Sequence, residues 1–159
     1  MIRIGIVGCG RILAAHLRGY RLLREAGVDN FRITALCSRN RDDAASYVRR
    51  GHGPPQRLPV SNIPGDVLAI GDEYLSDFQD DVEPEIFSDY RAMIARAPID
   101  AVNDFTSHGV HHEIALVALD AGKHLLTQKP LAVTVEAAKR MCDRAEVRDR
   151  VFGVFENFR

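Results

Sequence analysis

The sequence predicts a doubly wound α/β fold of the Rossmann type, in which helices cover both faces of a parallel sheet. Short apolar runs alternate with segments of helical periodicity along most of the chain, and this alternation is typical of parallel sheets. The glycine turn Gly8-Cys9-Gly10 lies between the first apolar run and the first helix. Further polar motifs follow later strands, at the sheet edge where such folds bind their ligands.

Two strand–helix pairs are predicted in the first third of the chain. The apolar runs Ile2–Val7 and Phe31–Cys37 predict strands, because short apolar runs next to turn residues are typical of buried strands. Between them, apolar residues recur with a helical period over residues 11–25, which predicts an amphipathic helix. A second, more charged helix is predicted over residues 42–50.

Residues 51–84 interrupt this pattern and predict an irregular insertion. They hold five of the seven prolines and four glycines, and a connection of this length is unusual in a compact domain. We expect its apolar run 67–70 to hold it against the body, one helical turn near 74–78, and mobility elsewhere. Three roles stay open for it: a surface excursion, a flap over the ligand cleft, or an oligomer contact.

The strand–helix pattern then returns, so residues 1–159 are predicted to form one domain. Further strands are predicted over 85–87, 100–105, 123–127 and 151–155, and further helices over 88–96, 110–121 and 134–145. Ser88 and Thr134 are the expected N-caps of two helices, and Gly122 is the expected C′ residue of another. The inward face of the last helix is expected to carry Val135, Ala138, Met141 and Ala145.

Composition and charge exclude several classes of protein. The chain is 46% hydrophobic with a formal net charge of −1, so no broad attraction to nucleic acid or a membrane surface is expected. Its longest apolar run, residues 114–119, is far shorter than the roughly 20 residues of a membrane span. Residues 1–4 enter the first strand at once, which leaves no room for a signal peptide. The three unpaired cysteines indicate free thiols and a cytoplasmic location.

The first candidate site is the glycine turn. Gly8 suits a tight turn and Gly10 lets the backbone approach a pyrophosphate, whose oxygens would meet the N–H groups of Arg11 and Ile12 at the helix start. Leu13 stands where the complete fingerprint has a third glycine. The turn alone leaves open a nicotinamide dinucleotide site, a purely structural role, and the S-adenosylmethionine site of a methyltransferase.

The end of the second strand indicates which dinucleotide is bound. An acidic residue there would bind the ribose of NAD, whereas this chain has Ser38 and Arg39. Ser38 can donate to a 2′-phosphate, and Arg39 can pair with that phosphate and stack on adenine. We therefore expect NADP to be favoured over NAD. The alternative is that these basic residues bind no ligand and are simply solvated at the start of a helix. The helix dipole disfavours this, because positive charges are less stable at a helix N-terminus. The missing acid also argues against a methyltransferase.

A histidine-rich loop follows the fourth strand. Three histidines lie within five residues, but no cysteine or carboxylate completes a recognisable zinc spacing, so no metal site is expected. Thr106, Ser107, His108 and His111 are instead candidate cofactor-binding residues beside a helix start. We expect His111 to order the loop or to touch the cofactor rather than to act as an acid or base.

Gln128 and Lys129 follow the fifth strand and are the last candidates. A lysine at the carboxyl end of a central strand can reach the cleft as a donor or as a fixed positive charge. Spacing alone leaves open an ordinary exposed lysine before a helix.

Together these motifs resemble the glucose–fructose oxidoreductase/inositol dehydrogenase (Gfo/Idh/MocA) family. The resemblance rests on the GxGRI turn, His16, the Thr-x-x-x-x-His loop at 106–111 and, most specifically, the segment AGKHLLTQKPLA at 121–132. It covers almost the whole chain except residues 51–84. Members of the family usually have Glu-Lys-Pro where this chain has Gln128-Lys129-Pro130. The resemblance therefore does not extend to a carboxylate at position 128.

The resemblance implies an NAD(P)-dependent oxidoreductase that transfers hydride between the nicotinamide and a sugar, polyol or related small molecule. It implies that Lys129, the catalytic candidate, lies near the nicotinamide and the reacting oxygen, with Gln128 beside the cofactor. It further implies a C-terminal substrate domain that is absent from this chain, with residues 152–159 similar to the crossing into it.

We therefore expect this chain to bind a nicotinamide dinucleotide but not to turn over a small-molecule substrate by itself. The alternative is a cofactor-binding or regulatory module without turnover. A homo-oligomer is compatible with both interpretations, and neither nucleic acid nor a membrane is an expected partner.

Overall fold

The computed structural model describes residues 1–156, whose strands form a six-stranded parallel sheet. The strands are β1 (Ile2–Val7), β2 (Phe31–Cys37), β3 (Glu85–Phe87), β4 (Ala101–Asp104), β5 (His124–Gln128) and β6 (Phe152–Phe155). Their spatial order is β3-β2-β1-β4-β5-β6, which confirms the predicted doubly wound Rossmann-type fold. Residues 157–159, predicted to belong to the crossing into a second domain, lie outside the described residues.

Helices pack on both faces of this sheet. They are α1 (Leu13–Glu25), α2 (Arg41–Ala45), α3 (Tyr90–Arg96), α4 (His111–Asp120) and α5 (Val135–Val147). One buried cluster includes Met93 of α3 and Met141 of α5, and the other includes Leu17 of α1 and Tyr47. Within residues 1–156, no helix is long and apolar enough to cross a lipid bilayer.

The second helix is shorter than predicted, because α2 ends at Ala45 instead of near residue 50. The carbonyl groups of Tyr47 and Val48 accept the backbone N–H groups of Leu75 and Ser76, at 2.9 and 3.1 Å. These carbonyls therefore bond to the insertion instead of continuing a helical ladder.

Cap residues set several of the other helix boundaries. Thr134 caps α5 through its side chain, and Gly122 follows α4 with a φ of 72°, both as predicted. The expected cap of α3 is wrong by one residue, since Asp89 and not Ser88 accepts the N–H that begins the helix. An ionised carboxylate makes a stronger hydrogen bond than a hydroxyl at this position.

The predicted inward face of α5 is correct for its later turns only. Met141 and Ala145 are buried, whereas Val135 is 87% exposed. The helix therefore packs on the body through its middle and last turns.

The insertion is held to the body partly by the predicted apolar run and partly by a segment beyond it. Leu68 of the apolar run 67–70 is 37% exposed, whereas Leu75 is 1% exposed. Leu75 lies in the 3-10 turn Leu75–Asp77, which confirms the helical turn expected near 74–78. Ile70 of the run packs against the same buried cluster as Leu75, so the run contributes to the attachment, but the most deeply buried contact comes from a leucine outside it.

Polar contacts add to this attachment. The Gln79 side chain accepts the N–H of Ile33 and donates to its carbonyl oxygen, both at 2.9 Å. Glu73 is 6% exposed and accepts two hydrogen bonds from Arg21 of α1, at 2.9 and 3.0 Å. The insertion is thus joined to β2 and α1, and the mobility expected for its remaining residues stays a prediction.

The order of the strands defines where a ligand can bind. β1 lies between β2 and β4, so the chain leaves β1 toward one side of the sheet and reaches β4 on the other. Connections from these two strands diverge at their carboxyl ends and leave a crevice there.

Candidate functional site

The glycine turn after β1 packs directly against the loop after β4. A Cβ atom on Gly8 would lie 2.7 Å from the carbonyl carbon of Phe105 and 2.8 Å from the nitrogen of Thr106, and the φ of Gly8 is +97°. The N–H of Gly8 also donates to the carbonyl oxygen of Cys37 at 2.8 Å. Gly8 therefore has a second role besides the tight turn that the sequence predicts, because only glycine lets the turn pack this closely on the loop after β4.

Gly10 has a different environment. A Cβ atom placed there would meet no atom within 4 Å, so the turn faces open space at this point. α1 begins at Leu13, and its N-cap residue Ile12 supplies no side-chain hydrogen bond. Arg11, which lies between Gly10 and Ile12, is exposed. An uncapped helix start next to open space provides the N–H groups that bind phosphate oxygens.

Tyr47 supports this turn from beneath. Its hydroxyl donates to the carbonyl oxygen of Gly10 at 3.0 Å, and the residue is 1% exposed. Burial raises the pKa of Tyr47 to about 12, so the hydroxyl stays a donor at neutral pH. Sequence reasoning missed this residue; the signal was an aromatic side chain in an otherwise charged segment.

The end of β2 presents the expected basic surface. The N–H of Ser38 donates to the carbonyl oxygen of Phe87 at 3.1 Å, and Arg39 is exposed. Asp43, a nearby carboxylate on α2, is bound by Arg57 of the insertion at 2.6 and 2.9 Å. Its negative charge is therefore compensated by an arginine.

The loop after β4 is organised by a buried carboxylate that sequence reasoning missed. Asp104 is fully buried and accepts the N–H and the hydroxyl of Thr106, at 2.9 and 2.6 Å. Burial raises the pKa of Asp104, while the hydrogen bonds of Thr106 oppose that rise. The available signal was an acidic residue inside a strand pattern, followed two residues later by a hydroxyl residue.

His111 joins this loop to the one after β5. It is fully buried, and its Nδ1 and Nε2 lie 3.0 Å from the carbonyl oxygens of Pro130 and Thr106 respectively. Lys129 and Pro130 are linked by a cis peptide bond. The geometry corresponds to the expected ordering role of His111, since its ring nitrogens contact backbone and not open space.

The other histidines of this loop are more accessible. Ser107 and His108 are exposed, and His112 is half-buried. Within residues 1–156, no group of three or more histidine, cysteine or acidic side chains is placed to hold a metal ion.

The end of β5 contacts the start of α1. The amide oxygen of Gln128 accepts the backbone N–H of Lys129 at 2.8 Å, and its amide nitrogen lies 3.1 Å from Nε2 of His16. The imidazole of His16 stacks on Phe105, with ring centroids 3.9 Å apart. Lys129 itself is exposed.

These contacts bring most of the predicted residues to one crevice. The glycine turn touches the loop after β4, His111 links that loop to the one after β5, and Gln128 links β5 back to α1. Arg39 makes no such link and lies at the end of β2. Arg11 is exposed in the glycine turn, Arg39 is exposed after β2, and Lys129 is exposed after β5.

The chain matches a known protein family. Residues 2–156 match the model of the GFO_IDH_MocA family, described as an oxidoreductase family with an NAD-binding Rossmann fold. The methyltransferase interpretation of the glycine turn is therefore wrong.

Characterised proteins related to the chain include sugar and polyol dehydrogenases. The inositol 2-dehydrogenase of Paracoccus denitrificans is 30% identical over 145 residues, which cover 91% of this chain and 33% of that protein. The levoglucosan dehydrogenase of Pseudarthrobacter phenanthrenivorans is 40% identical over 72 residues, which cover 45% of this chain and 18% of that protein.

A solved structure shows the same fold. The scyllo-inositol dehydrogenase of Lactobacillus casei, determined with NAD(H) and scyllo-inositol, superposes with a TM-score of 0.65 at 21% identity, covering 98% of this chain and 36% of that one. The chain thus spans about a third of the length of both inositol dehydrogenases. Because the family model matches residues 2–156, this chain belongs to the Gfo/Idh/MocA oxidoreductase family and forms its NAD-binding Rossmann domain.

Proposed function

We propose that this chain holds NADP(H) or NAD(H) in a dehydrogenase that moves hydride to or from a carbon of a sugar, polyol or related small molecule. The observation that carries the proposal is the convergence of the glycine turn, the loop after β4 and the loop after β5 at one crevice. The inositol and levoglucosan dehydrogenases among its relatives support the substrate class.

The pyrophosphate would lie over the glycine turn. Open space at Gly10 admits the phosphates, and the N–H groups around Arg11 and Ile12 donate to their oxygens. Gly8 acts indirectly, because it lets the turn pack on the loop after β4. The exposed guanidinium of Arg11 adds positive charge beside the same phosphates.

The adenosine end is proposed to favour the 2′-phosphate of NADP. Ser38 and the exposed Arg39 follow β2, and a guanidinium can pair with a phosphate through two parallel hydrogen bonds. The Arg57–Asp43 ion pair supports the preference, because it compensates a carboxylate that would otherwise repel the phosphate.

The middle of the crevice would be lined by the loop after β4. Thr106, Ser107 and His108 are half-buried or exposed there and can contact the cofactor. His111 is proposed to act as a positioning residue, since it is buried between the carbonyl oxygens of Thr106 and Pro130.

Lys129 is proposed as the catalytic residue of this domain. When bound, the nicotinamide supplies the hydride donor or acceptor. The ammonium group of Lys129 would polarise the substrate oxygen and stabilise negative charge that develops on it. Gln128 holds the backbone of Lys129 in place through its amide oxygen, so the lysine starts from an ordered position.

Turnover requires parts beyond this crevice. A substrate must be held against the nicotinamide, with an acid–base group at the reacting carbon, and the chain spans about a third of its dehydrogenase relatives. We therefore propose that the chain alone binds cofactor and that a further domain supplies the substrate pocket. A cytoplasmic location is supported by the free thiols of Cys9, Cys37 and Cys142; self-association stays a prediction.

The proposal is tested by separating binding from turnover. The chain is titrated with NADPH and NADH, followed by nicotinamide fluorescence, and assayed beside this for reduction of NADP⁺ over a panel of sugars and polyols. We expect saturable binding and no turnover. Failure to bind either dinucleotide would overturn the cofactor proposal, and saturable turnover would overturn the need for a further domain.

A further inference from the structure

The side-chain amide of Gln128 has a fixed orientation. Its oxygen accepts the backbone N–H of Lys129 at 2.8 Å, and a backbone N–H can only donate. The opposite orientation would place the NH₂ group against that N–H, donor against donor. The NH₂ group therefore faces Nε2 of His16, 3.1 Å away.

This orientation determines what His16 can do. An amide NH₂ group donates and does not accept, so Nε2 of His16 must present its lone pair. In a neutral imidazole with an unprotonated Nε2, the proton resides on Nδ1. An imidazolium has no lone pair to offer, so protonation of His16 would break the contact with Gln128.

The surroundings of the ring also favour the neutral form. The ring stacks on Phe105 with centroids 3.9 Å apart and meets the edge of Phe155 at 4.8 Å. Burial lowers the pKa of His16 to about 4. The nearest titratable residues along the elements that pack on the ring are Asp104, Lys129 and Glu156, which adjoin Phe105, Gln128 and Phe155 in sequence.

We infer that Gln128 holds His16 as the neutral Nδ1-protonated tautomer, and that this pair positions Lys129 against the start of α1. The pair joins two segments 112 residues apart in sequence. The segment that resembles the family usually has glutamate at this position, and a carboxylate would instead accept from Nε2. Gln128 therefore gives this chain an uncharged contact where a glutamate would create a histidine–carboxylate pair.

Two substitutions separate the two contacts of Gln128. Gln128→Glu keeps an acceptor for the N–H of Lys129 but replaces the donor that faces His16. Gln128→Ala removes both contacts. The matched pair thus distinguishes the tautomer of His16 from the ordering of the Lys129 backbone, and neither measurement needs a bound cofactor.

The tautomer is read from long-range ¹H–¹⁵N correlation spectra of ¹⁵N-histidine-labelled chain, with His16 assigned by the signal lost in His16→Gln. We expect the unaltered chain to show the Nδ1-protonated form, with His16 predominantly neutral between pH 6 and 8. Gln128→Glu should show the Nε2-protonated form, and its carboxylate should raise the pKa of His16 by roughly 1–3 pH units.

The backbone contact is read from amide hydrogen exchange at Lys129. We expect exchange to be faster in Gln128→Ala and nearly unchanged in Gln128→Glu. An Nε2-protonated His16 in the unaltered chain, or the same tautomer in both Gln128→Glu and the unaltered chain, would overturn the inference. If neither variant folds, the tautomer in the unaltered chain decides alone.

Discussion

Replacing Gly8 with alanine should destabilise the fold, whereas the same change at Gly10 should weaken cofactor binding. At Gly8 the added Cβ would lie 2.7 Å from backbone of the neighbouring loop, at a φ of +97°. A left-handed backbone costs an alanine roughly 1–2 kcal/mol, and overpacking adds roughly 1–3 kcal/mol. The free energy of unfolding should therefore fall by about 2–5 kcal/mol, which lowers the Tm by about 4–20 °C.

Gly10 is the matched control, because its Cβ would meet nothing within 4 Å. Gly10→Ala should change the free energy of unfolding by less than about 1 kcal/mol. The methyl group would instead stand where phosphates are proposed to approach. Loss of one charge-assisted hydrogen bond, roughly 1.5–3 kcal/mol, would weaken NADPH binding about tenfold to a hundredfold.

Chemical denaturation and a fluorescence titration measure the two effects separately. Gly8→Ala with an unchanged denaturation midpoint would show that the close approach to the loop after β4 is not restrictive. Gly10→Ala with unaltered NADPH affinity would show that the phosphates bind elsewhere, and the proposed site would be wrong.

Three further predictions test the remaining parts of the structure. Arg39→Ala should weaken the binding free energy of NADPH by roughly 1–3 kcal/mol and leave that of NADH unchanged in a fluorescence titration, with Arg41→Ala as the control. Equal losses for both dinucleotides in Arg39→Ala would contradict the 2′-phosphate contact. Leu75→Ala should cost about 2–5 kcal/mol of stability, whereas Leu68→Ala should cost less than about 0.5 kcal/mol. The reverse order would show that Leu68, and not Leu75, is the main apolar contact of the insertion. The hydrogen bond from Arg3 lowers the pKa of Asp100 to about 2, so its ionised form stabilises the fold at neutral pH. This stabilisation should be lost as the pH falls from about 4 toward 2, so that Asp100→Asn is less stable than the unaltered chain at pH 7 and equal to it near pH 2.

Local patterns in the sequence were sufficient for the elements and for the backbone parts of the site. Six strands and five helices lie at the predicted places, and their ends differ from the predicted ones by at most five residues. The glycine turn, the N-cap Thr134 and the C′ residue Gly122 were also predicted correctly. Strand and helix periods, turn glycines and caps depend on residues a few positions apart, so the sequence records them directly.

The tertiary structure decided which side chains meet. The pairs His16–Gln128 and Tyr47–Gly10 are 112 and 37 residues apart, and the N–H of Leu75 bonds to the carbonyl oxygen of Tyr47, 28 positions earlier. The sequence predicted Asp104 only as part of a strand, and the structure shows that its carboxylate accepts a hydrogen bond from the hydroxyl of Thr106. The His16–Gln128 contact exists because β1, β4 and β5 are neighbours in the sheet, whereas the contacts of Tyr47 depend on the packing of the segment after α2. The sequence by itself determined the fold class, the glycine turn and the candidate loops; the strand order determined how those loops contact one another, because residues far apart in sequence become neighbours only after the sheet has formed.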